Sequence, residues 1–460
     1  MRVDPVIFRQ YDVRGTVGKD LTPDVARLIG RAVAAEAAQR LGRAAVLAVG
    51  RDNRPSGPSL VGALIEGLTS SGATVLDAGL LPTPALYFAT HHAHADGGVQ
   101  VTGSHNPPEF NGFKMVLGGL PLAGDDIQGL RRRIETDGFV TGKGTVRPTP
   151  VLDAYAKAIV ERVGRLPRAV RVVVDCGNGT GSICAPQLLE AMGANVTRLY
   201  CESDGTFPNH HPDPTVLENL RDLIAEVRRG GAELGIAFDG DADRIGVVDE
   251  TGTVLFGDLL LILYGRDLTR RLGKGREIIF DVKCSDVLPQ ALERAGAKPV
   301  MWMTGHSNIK ARMKSSGAVL AGEMSGHMFF GEPDWLGFDD ALYAAARLLR
   351  IVAEAKLPFS SLLADVPRLV STPEIRVDIA EDRKGPVVAA AAAHFSAKYP
   401  TVTIDGVRWR TKDGWGLIRQ SNTQPILVLR FEATTPAALD AIRREAMDVL
   451  ARHGVRLPDA

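Results

Sequence analysis

The chain of 460 residues is too long for one ordinary hydrophobic core, and at roughly 100 to 200 residues per domain it predicts three or four. Apolar residues at 45%, charged residues at 23% and aromatics at 6% are the balance of a folded globular protein, which excludes a disordered or fibrous chain. The 54 basic and 54 acidic residues cancel, so no global field draws the protein to nucleic acid or an anionic membrane, and any phosphate-binding charge must be local.

The first dozen residues, "MRVDPVIFRQYD", carry charges and lack the apolar core of a secretory signal. The longest apolar runs, "LLLILY" (259–264) and "VVAAAAAHF" (387–395), fall well short of the roughly 20 residues of a membrane span. The cysteines at 176, 184, 201 and 284 have neither metal-finger spacing nor disulfide-scaffold density. They read as reduced thiols of a cytoplasmic protein, mostly packing.

Three segments then repeat one pattern: an apolar strand ending near an acid, a Gly- or Ser-containing turn, a helix, and "Gly-Ala" before another strand. They run "AAVLAVGRDNRPSG" to "SSGATVLDAG", "VRVVVDCGNGTG" to "AMGANVTRLY", and "REIIFDVKCSD" to "RAGAKPVMWMTG". From Asp52, Asp175 and Asp281 to Gly72, Gly193 and Gly296 the intervals are 20, 18 and 15 residues, one helix with its loops. Such units build parallel sheets through right-handed crossovers. Three related α/β domains with mixed, mainly parallel sheets are therefore expected over 1–149, 150–254 and 255–366. After the proline-spaced "KLPFSSLLADVPRLVSTPE", alternating "PEIRVDI" and "PILVLRFEA" strands and amphipathic helices near 386–398 and 436–453 predict a smaller α+β domain over 367–460. Four domains leave a cleft between them, the usual place for a ligand.

Within the first segment, "GGVQVTGSHNPPEFNGFK" breaks a strand into a serine on an Asn-Pro-Pro turn. Ser104 there fits either a nucleophile or a hydroxyl that ties the turn, and by itself the stretch favours the tie. The histidines of "HHAHAD" (His91, His92, His94) read as an exposed helix end without a role. Neither "GFVTGKGT" nor "DCGNGTGS" meets a nucleotide fingerprint: the first has the wrong interval and no hydroxyl after Lys143, the second has Ser182 in place of its third glycine.

"IAFDGDADRIGVVDETG" places Asp239, Asp241 and Asp243 on a tight loop between two apolar strands. An EF-hand would need glycine where Arg244 stands, and a merely solvated turn would not concentrate three repelling acids between buried strands. A hard cation, Mg²⁺ above all, suits the three carboxylates and implies a phosphate as a further ligand. "LAGEMSGHMFFGE" alternates Glu323, Ser325 and His327 after an apolar strand; an acceptor beside donors suits adjacent sugar hydroxyls, while a structural turn explains the stretch equally. "WGLIRQSNTQPILVLRFE" offers Arg419, Ser421, Asn422 and Thr423 as a fork of donors for a phosphate dianion or as an Asx/Ser turn with one arginine, and the phosphate implied by the metal favours the former. With those parts in hand Ser104 reads as a phosphoryl carrier, with Lys114 and Arg14 steadying the charge and Asn106 and its prolines tying the turn.

In order and spacing, "YDVRG", "GRDNRPSG", "TGSHNPPEFNGFK", "DGDADR", "GEMSGH" and "RQSNTQP" closely resemble the α-D-phosphohexomutase family, and within it the bacterial phosphomannomutase/phosphoglucomutases, over nearly the whole chain. The resemblance implies four domains around a central cleft, phosphoserine at Ser104, and Mg²⁺ on Asp239, Asp241, Asp243 and the serine phosphate. It makes Glu323 and Ser325 the sugar contacts and Arg419, Ser421, Asn422 and Thr423 the clamp on the non-reacting phosphate. Tyr11, Arg14, Lys114, Arg244, Lys283, His306 and His327 match further cleft residues, with Lys114 and His327 ahead of His306 as general acid/base. The implied reaction moves phosphate between the 1- and 6-positions of mannose and glucose phosphates through a hexose 1,6-bisphosphate that turns around in the site. Glucose or mannose 1,6-bisphosphate is the implied activator. Met324 is similar to the hexose-specific branch; a phosphoglucosamine mutase and a Mg²⁺-dependent sugar phosphatase are the rival activities, and Trp335 is a candidate contact. A monomer without nucleic-acid or membrane partners is expected.

Overall fold

The structure, a computed structural model, describes residues 3–422 and 424–455. Its strands fall into four sheets, of seven, five, four and six strands.

The first three sheets share one construction. In the first, Val46–Arg51 lies between Thr74–Leu80 and Gly97–Val101, all parallel, and Phe110–Leu117 returns antiparallel beside Gly97–Val101. In the second, Arg171–Asp175 lies between Asn195–Leu199 and Leu234–Phe238, with Ile245–Asp249 antiparallel to the latter. In the third, Glu277–Asp281 lies between Lys298–Trp302 and Leu320–Gly322, with Met328–Phe330 antiparallel. The central parallel strands are buried on both faces, which is why they read as unbroken apolar runs. The recurring Gly-Ala has a backbone cause: Gly72, Gly193 and Gly296 have φ of 89°, 103° and 91°, in the left-handed region where a helix ends cheaply only on glycine.

The shared construction positions the site. In each unit the last parallel strand turns over into its antiparallel partner through a loop at the carboxyl end of the sheet, where open α/β sheets bind ligands. Those three loops carry Ser104, the three aspartates, and the Glu323–His327 stretch. Strand-end aspartates brace two of them: Asp52 Oδ2 accepts from Gly103 N at 3.0 Å and Asp281 Oδ1 from Met324 N at 3.1 Å.

The fourth sheet is antiparallel throughout, with Val407–Arg410, Gly414–Gln420 and Ile426–Ala433 at its centre. Helices Glu381–Ser396 and Pro436–Arg452 cover one face, where Phe395 stacks on Trp409 with centroids 3.7 Å apart. The sequence predicts an alternating, half-exposed strand at 426–433, yet every residue of it is buried. The reason is a second contact: Trp415 packs with Val282, Arg408 Nη1 donates to Cys284 O at 2.9 Å, and Asp286 N to Glu432 Oε1 at 3.1 Å. The sheet's other face is thus docked on the third unit. The second and third units share one continuous apolar core, to which the helix Thr83–His92 of the first contributes. Among the described residues no helix is long and apolar enough to cross a membrane.

Candidate active site

Ser104 is 2% exposed and sits at φ 50°, a conformation uncommon for a residue with a Cβ. Arg54 holds it there. This fully buried guanidinium donates to Asp52 Oδ2 at 3.1 Å, to Ser104 O at 2.8 Å and to Phe110 O at 2.9 Å, and also to the carbonyls of Asn106 and Pro107. Asn106 ties the turn through its N–H to Gly103 O, and its side chain accepts from Arg14 Nη1 at 3.0 Å. The Ser104 hydroxyl, freed from turn duty, donates to Asp239 Oδ2 at 2.9 Å.

Asp239, Asp241 and Asp243 are each 0% exposed and offer oxygens within 4.8 Å of one another. Burial, then the charges of Asp243 and Asp241, pushes the Asp239 carboxyl well above its usual range. Burial would raise Asp241 too, but the Lys114 ammonium holds it low. Lys114 Nζ bridges Asp241 Oδ2, at 2.8 Å, and Asp243 Oδ2; Thr102 adds a bond to Asp241 at 3.1 Å and Thr83 another. The opposite oxygens, Asp241 Oδ1 and Asp243 Oδ1, are buried without a hydrogen-bond partner. Orphaned carboxylate oxygens beside a like-charged third acid fit a divalent cation.

Across the loop, Arg244 pairs in a β-bridge with His327 and donates from Nε to its Nε2 at 2.9 Å. The other ring nitrogen, Nδ1, lies 3.3 Å from Asp339 Oδ2 and 3.6 Å from Asp243 Oδ1. Asp339 is shared with Lys310 Nζ at 2.7 Å and with His306, whose Nδ1 is 3.7 Å away. Burial, then Lys310, holds His306 well below the usual imidazole range. Ser325 Oγ donates to Glu323 Oε2 at 3.1 Å and Gly305 N to Glu323 Oε1 at 3.0 Å, so this pair forms a presented acceptor and donor. His327 is turned from them toward the aspartate loop.

Arg419 Nε pairs with Asp405 Oδ2 at 2.9 Å, and Thr304 N donates to the same oxygen at 3.0 Å. Ser421 Oγ accepts from Gln424 N at 3.1 Å, and Asn422 Nδ2 donates to the Tyr11 hydroxyl, which also bonds Thr304 O at 3.0 Å. Tyr11 therefore joins the first, third and fourth units, and burial raises its phenol to about 12. Thr423 lies outside the described residues. Lys283 Nζ meets Glu374 Oε2 at 3.2 Å; burial would raise Glu374, yet Lys283 lowers it to about 2. Trp335, a candidate contact in the sequence, is a core residue, stacked on Tyr343 at 4.6 Å and bonded to Asp340 at 2.9 Å; the sulfur of Met324 meets Arg430.

Sequence reasoning passed over Arg54, Thr83, Thr102, Asp339, Lys310, Asp405 and Glu374. Arg54 and Thr102 lay within motifs already singled out, "GRDNRPSG" and "TGSHNPPEFNGFK"; Thr83, Asp339, Lys310, Asp405 and Glu374 are partners supplied by other segments.

The four-sheet fold and this cluster of buried residues define a multidomain α/β enzyme, and the chain belongs to the phosphoglucomutase/phosphomannomutase family. Its family models match in order: alpha/beta/alpha domain I over residues 5–141, domain II over 153–252, domain III over 256–369 and the C-terminal domain over 374–449. Among its relatives, a phosphomannomutase/phosphoglucomutase of Pseudomonas aeruginosa is 50% identical over 438 residues, covering 95% of this chain and 94% of that one. A phosphoglucomutase of Neisseria gonorrhoeae is 48% identical over 449 residues, 96% of each. The crystal structure of a phosphoglucomutase/phosphomannomutase family protein from Burkholderia thailandensis superposes with a TM-score of 0.92 at 44% identity, covering 100% of both chains.

Proposed function

We propose that this chain interconverts the 1- and 6-phosphates of mannose and glucose by passing a phosphoryl group through Ser104. The observation that carries the reading is the Ser104 hydroxyl, fixed 2.9 Å from Asp239 at the edge of a buried carboxylate triad with two unpartnered oxygens. A divalent cation, Mg²⁺ above all, held by Asp239, Asp241 and Asp243 would neutralise charge on the phosphoryl oxygens.

The protein's own groups do the positioning. Arg54 locks the loop that presents Ser104. Lys114 donates to Asp241 and Asp243 and acts as a fixed positive charge; His327, whose Nδ1 lies 3.6 Å from Asp243 Oδ1, is the proton carrier, with His306 behind it. Arg419, Ser421 and Asn422 grip the phosphate that is not reacting, while Glu323 and Ser325 meet the sugar's O3 and O4. In the first transfer the bond from phosphorus to Ser104 Oγ breaks as one forms to the sugar oxygen, giving a 1,6-bisphosphate. The intermediate turns, and the other phosphate returns to Ser104. Turning swaps O3 and O4, which an acceptor and donor pair tolerates, and leaves C2 weakly read; that supports activity on both sugars. All these groups come from one chain, so a monomer suffices.

The test is conversion of mannose and glucose 1-phosphates to the 6-phosphates with catalytic glucose 1,6-bisphosphate, against inorganic phosphate release. Ser104→Ala should lose turnover yet bind glucose 1-phosphate by calorimetry. Turnover that survives in this variant, or release of free phosphate as the main product, overturns the reading.

A further inference from the structure

Two cysteines stand where the phosphoryl-transfer reading leaves them unused. Cys176 follows the strand Arg171–Asp175 and Cys201 lies two residues past its parallel neighbour Asn195–Leu199. The register that pairs Asp175 with Leu199 therefore brings both thiols to the same end of the sheet. Their Sγ atoms lie 3.2 Å apart, so about 1 Å of closure, shared between two side chains, reaches the disulfide bond length of about 2.05 Å. Cys176 is fully buried and Cys201 half-buried, which leaves Cys201 as the thiol that meets a dissolved reagent. Cys184 and Cys284 are both buried.

We propose that Cys176 and Cys201 are an oxidisable dithiol that a hydroperoxide converts to a disulfide, with a reversible loss of turnover. Cys201 attacks the O–O bond of hydrogen peroxide and becomes a sulfenic acid, releasing one water. Cys176 then attacks the Cys201 sulfur; the S–S bond forms, hydroxide leaves and takes the Cys176 proton as a second water. Two thiols are oxidised and one peroxide is reduced, with no other reactant. Burial, then the bond to Cys201, raises the Cys176 thiol well above its usual range, which leaves the more exposed Cys201 to initiate, while Cys176 resolves because it already lies 3.2 Å away.

The consequence for turnover comes from what the two cysteines anchor. Beyond Cys176 the chain packs under the aspartate loop: Thr180 N donates to Gly240 O at 2.9 Å, and a Cβ on Gly179 would meet Gly240 Cα at 2.9 Å. Beyond Cys201 it packs on the residues that hold Ser104: Asn53 Nδ2 donates to Ser203 Oγ at 3.0 Å, and a Cβ on Gly205 would meet Arg54 Cα at 2.6 Å. Part of that closure falls on the backbone at either cysteine, and the close packing at Gly179 and Gly205 passes it on to both seats.

Peptide mapping of protein treated with hydrogen peroxide and not reduced should yield a linked Cys176–Cys201 peptide short of two hydrogens. Turnover should fall about three- to thirtyfold, the span of couplings through packed elements, and return with dithiothreitol. Cys201→Ser and Cys201→Ala should keep the turnover of the reduced enzyme and lose the response. Absence of the linked peptide, a linked peptide with unchanged turnover, or equal peroxide sensitivity in both variants would overturn the proposal. The peptide map is read without any sugar substrate, so failure of the mutase reading would show separately, as a reduced protein without turnover.

Discussion

Arg54→Ala removes a cation bonded to one carboxylate and four carbonyls beneath Ser104. What remains is Asp52, 1% exposed, and four carbonyls without that donor. Stripping one partner from a buried ion pair costs about 3–5 kcal/mol. Asp52 keeps two backbone donors, Arg54 N at 3.1 Å and Gly103 N at 3.0 Å, which places the loss at the lower end. At about 3 °C per kcal/mol for a domain of this size, the transition of the N-terminal unit should fall by about 10 °C in scanning calorimetry. The left-handed Ser104 loses the bonds that hold it, and a displacement of about 1 Å at a reacting atom costs about a hundredfold in rate. The fall should appear in kcat, with KM for glucose 1-phosphate little changed, because the groups proposed to grip the substrate lie on other units. Arg54→Lys restores charge but too few donors for five partners, and should fall between. A Tm within about 2 °C of wild type together with intact turnover would refute the assignment of Arg54 as the lock.

Arg419→Ala should raise KM for glucose 1-phosphate about tenfold to a hundredfold, the worth of one charge-assisted bond, with a smaller effect on kcat; steady-state kinetics check the split. Gly240→Ala puts a Cβ 2.4 Å from Ser104 O, so the serine and aspartate loops must part; Mn²⁺ binding by calorimetry should weaken and turnover drop about tenfold or more. His210 bonds Asp175 Oδ2 at 3.0 Å, with Tyr200 edge-on and Asp222 near; burial alone would lower its pKa, but Asp175 outweighs that and raises it. A raised folded pKa stabilises fully below the unfolded value of about 6.5 and the gain is lost as pH rises through the folded one. Urea midpoints of wild type and His210→Asn should therefore differ more at acid than at alkaline pH, and an equal gap at both would contradict the ion pair.

The three-fold α/β repeat is legible in the chain because each unit's central strand is buried on both faces and each helix ends on a glycine that only a left-handed turn explains. The aspartate loop is legible for a related reason: three acids between two buried strands have no comfortable solvent-facing explanation. What the strands of the last unit face is not legible locally. Ile426–Ala433 carries Arg430 and Glu432, which read as a wet face and are in fact pressed against the third unit.

The candidate residues of the site can be read from the sequence because they sit in short motifs whose turn chemistry is local: the serine on its Asn-Pro-Pro turn, the alternating aspartates, the Glu-Met-Ser-Gly-His stretch. Their meeting was decided by tertiary structure alone. Ser104 and Asp239 are 135 positions apart, and His327 finds Arg244 across 83. At Ser104 the tying is taken over by Arg54 from fifty positions upstream, and the hydroxyl is left to Asp239. Likewise Asp339, Asp405 and Glu374 became partners of the site only through packing. A buried charge must find its counter-charge wherever the fold brings one, and no local pattern records which segment that will be.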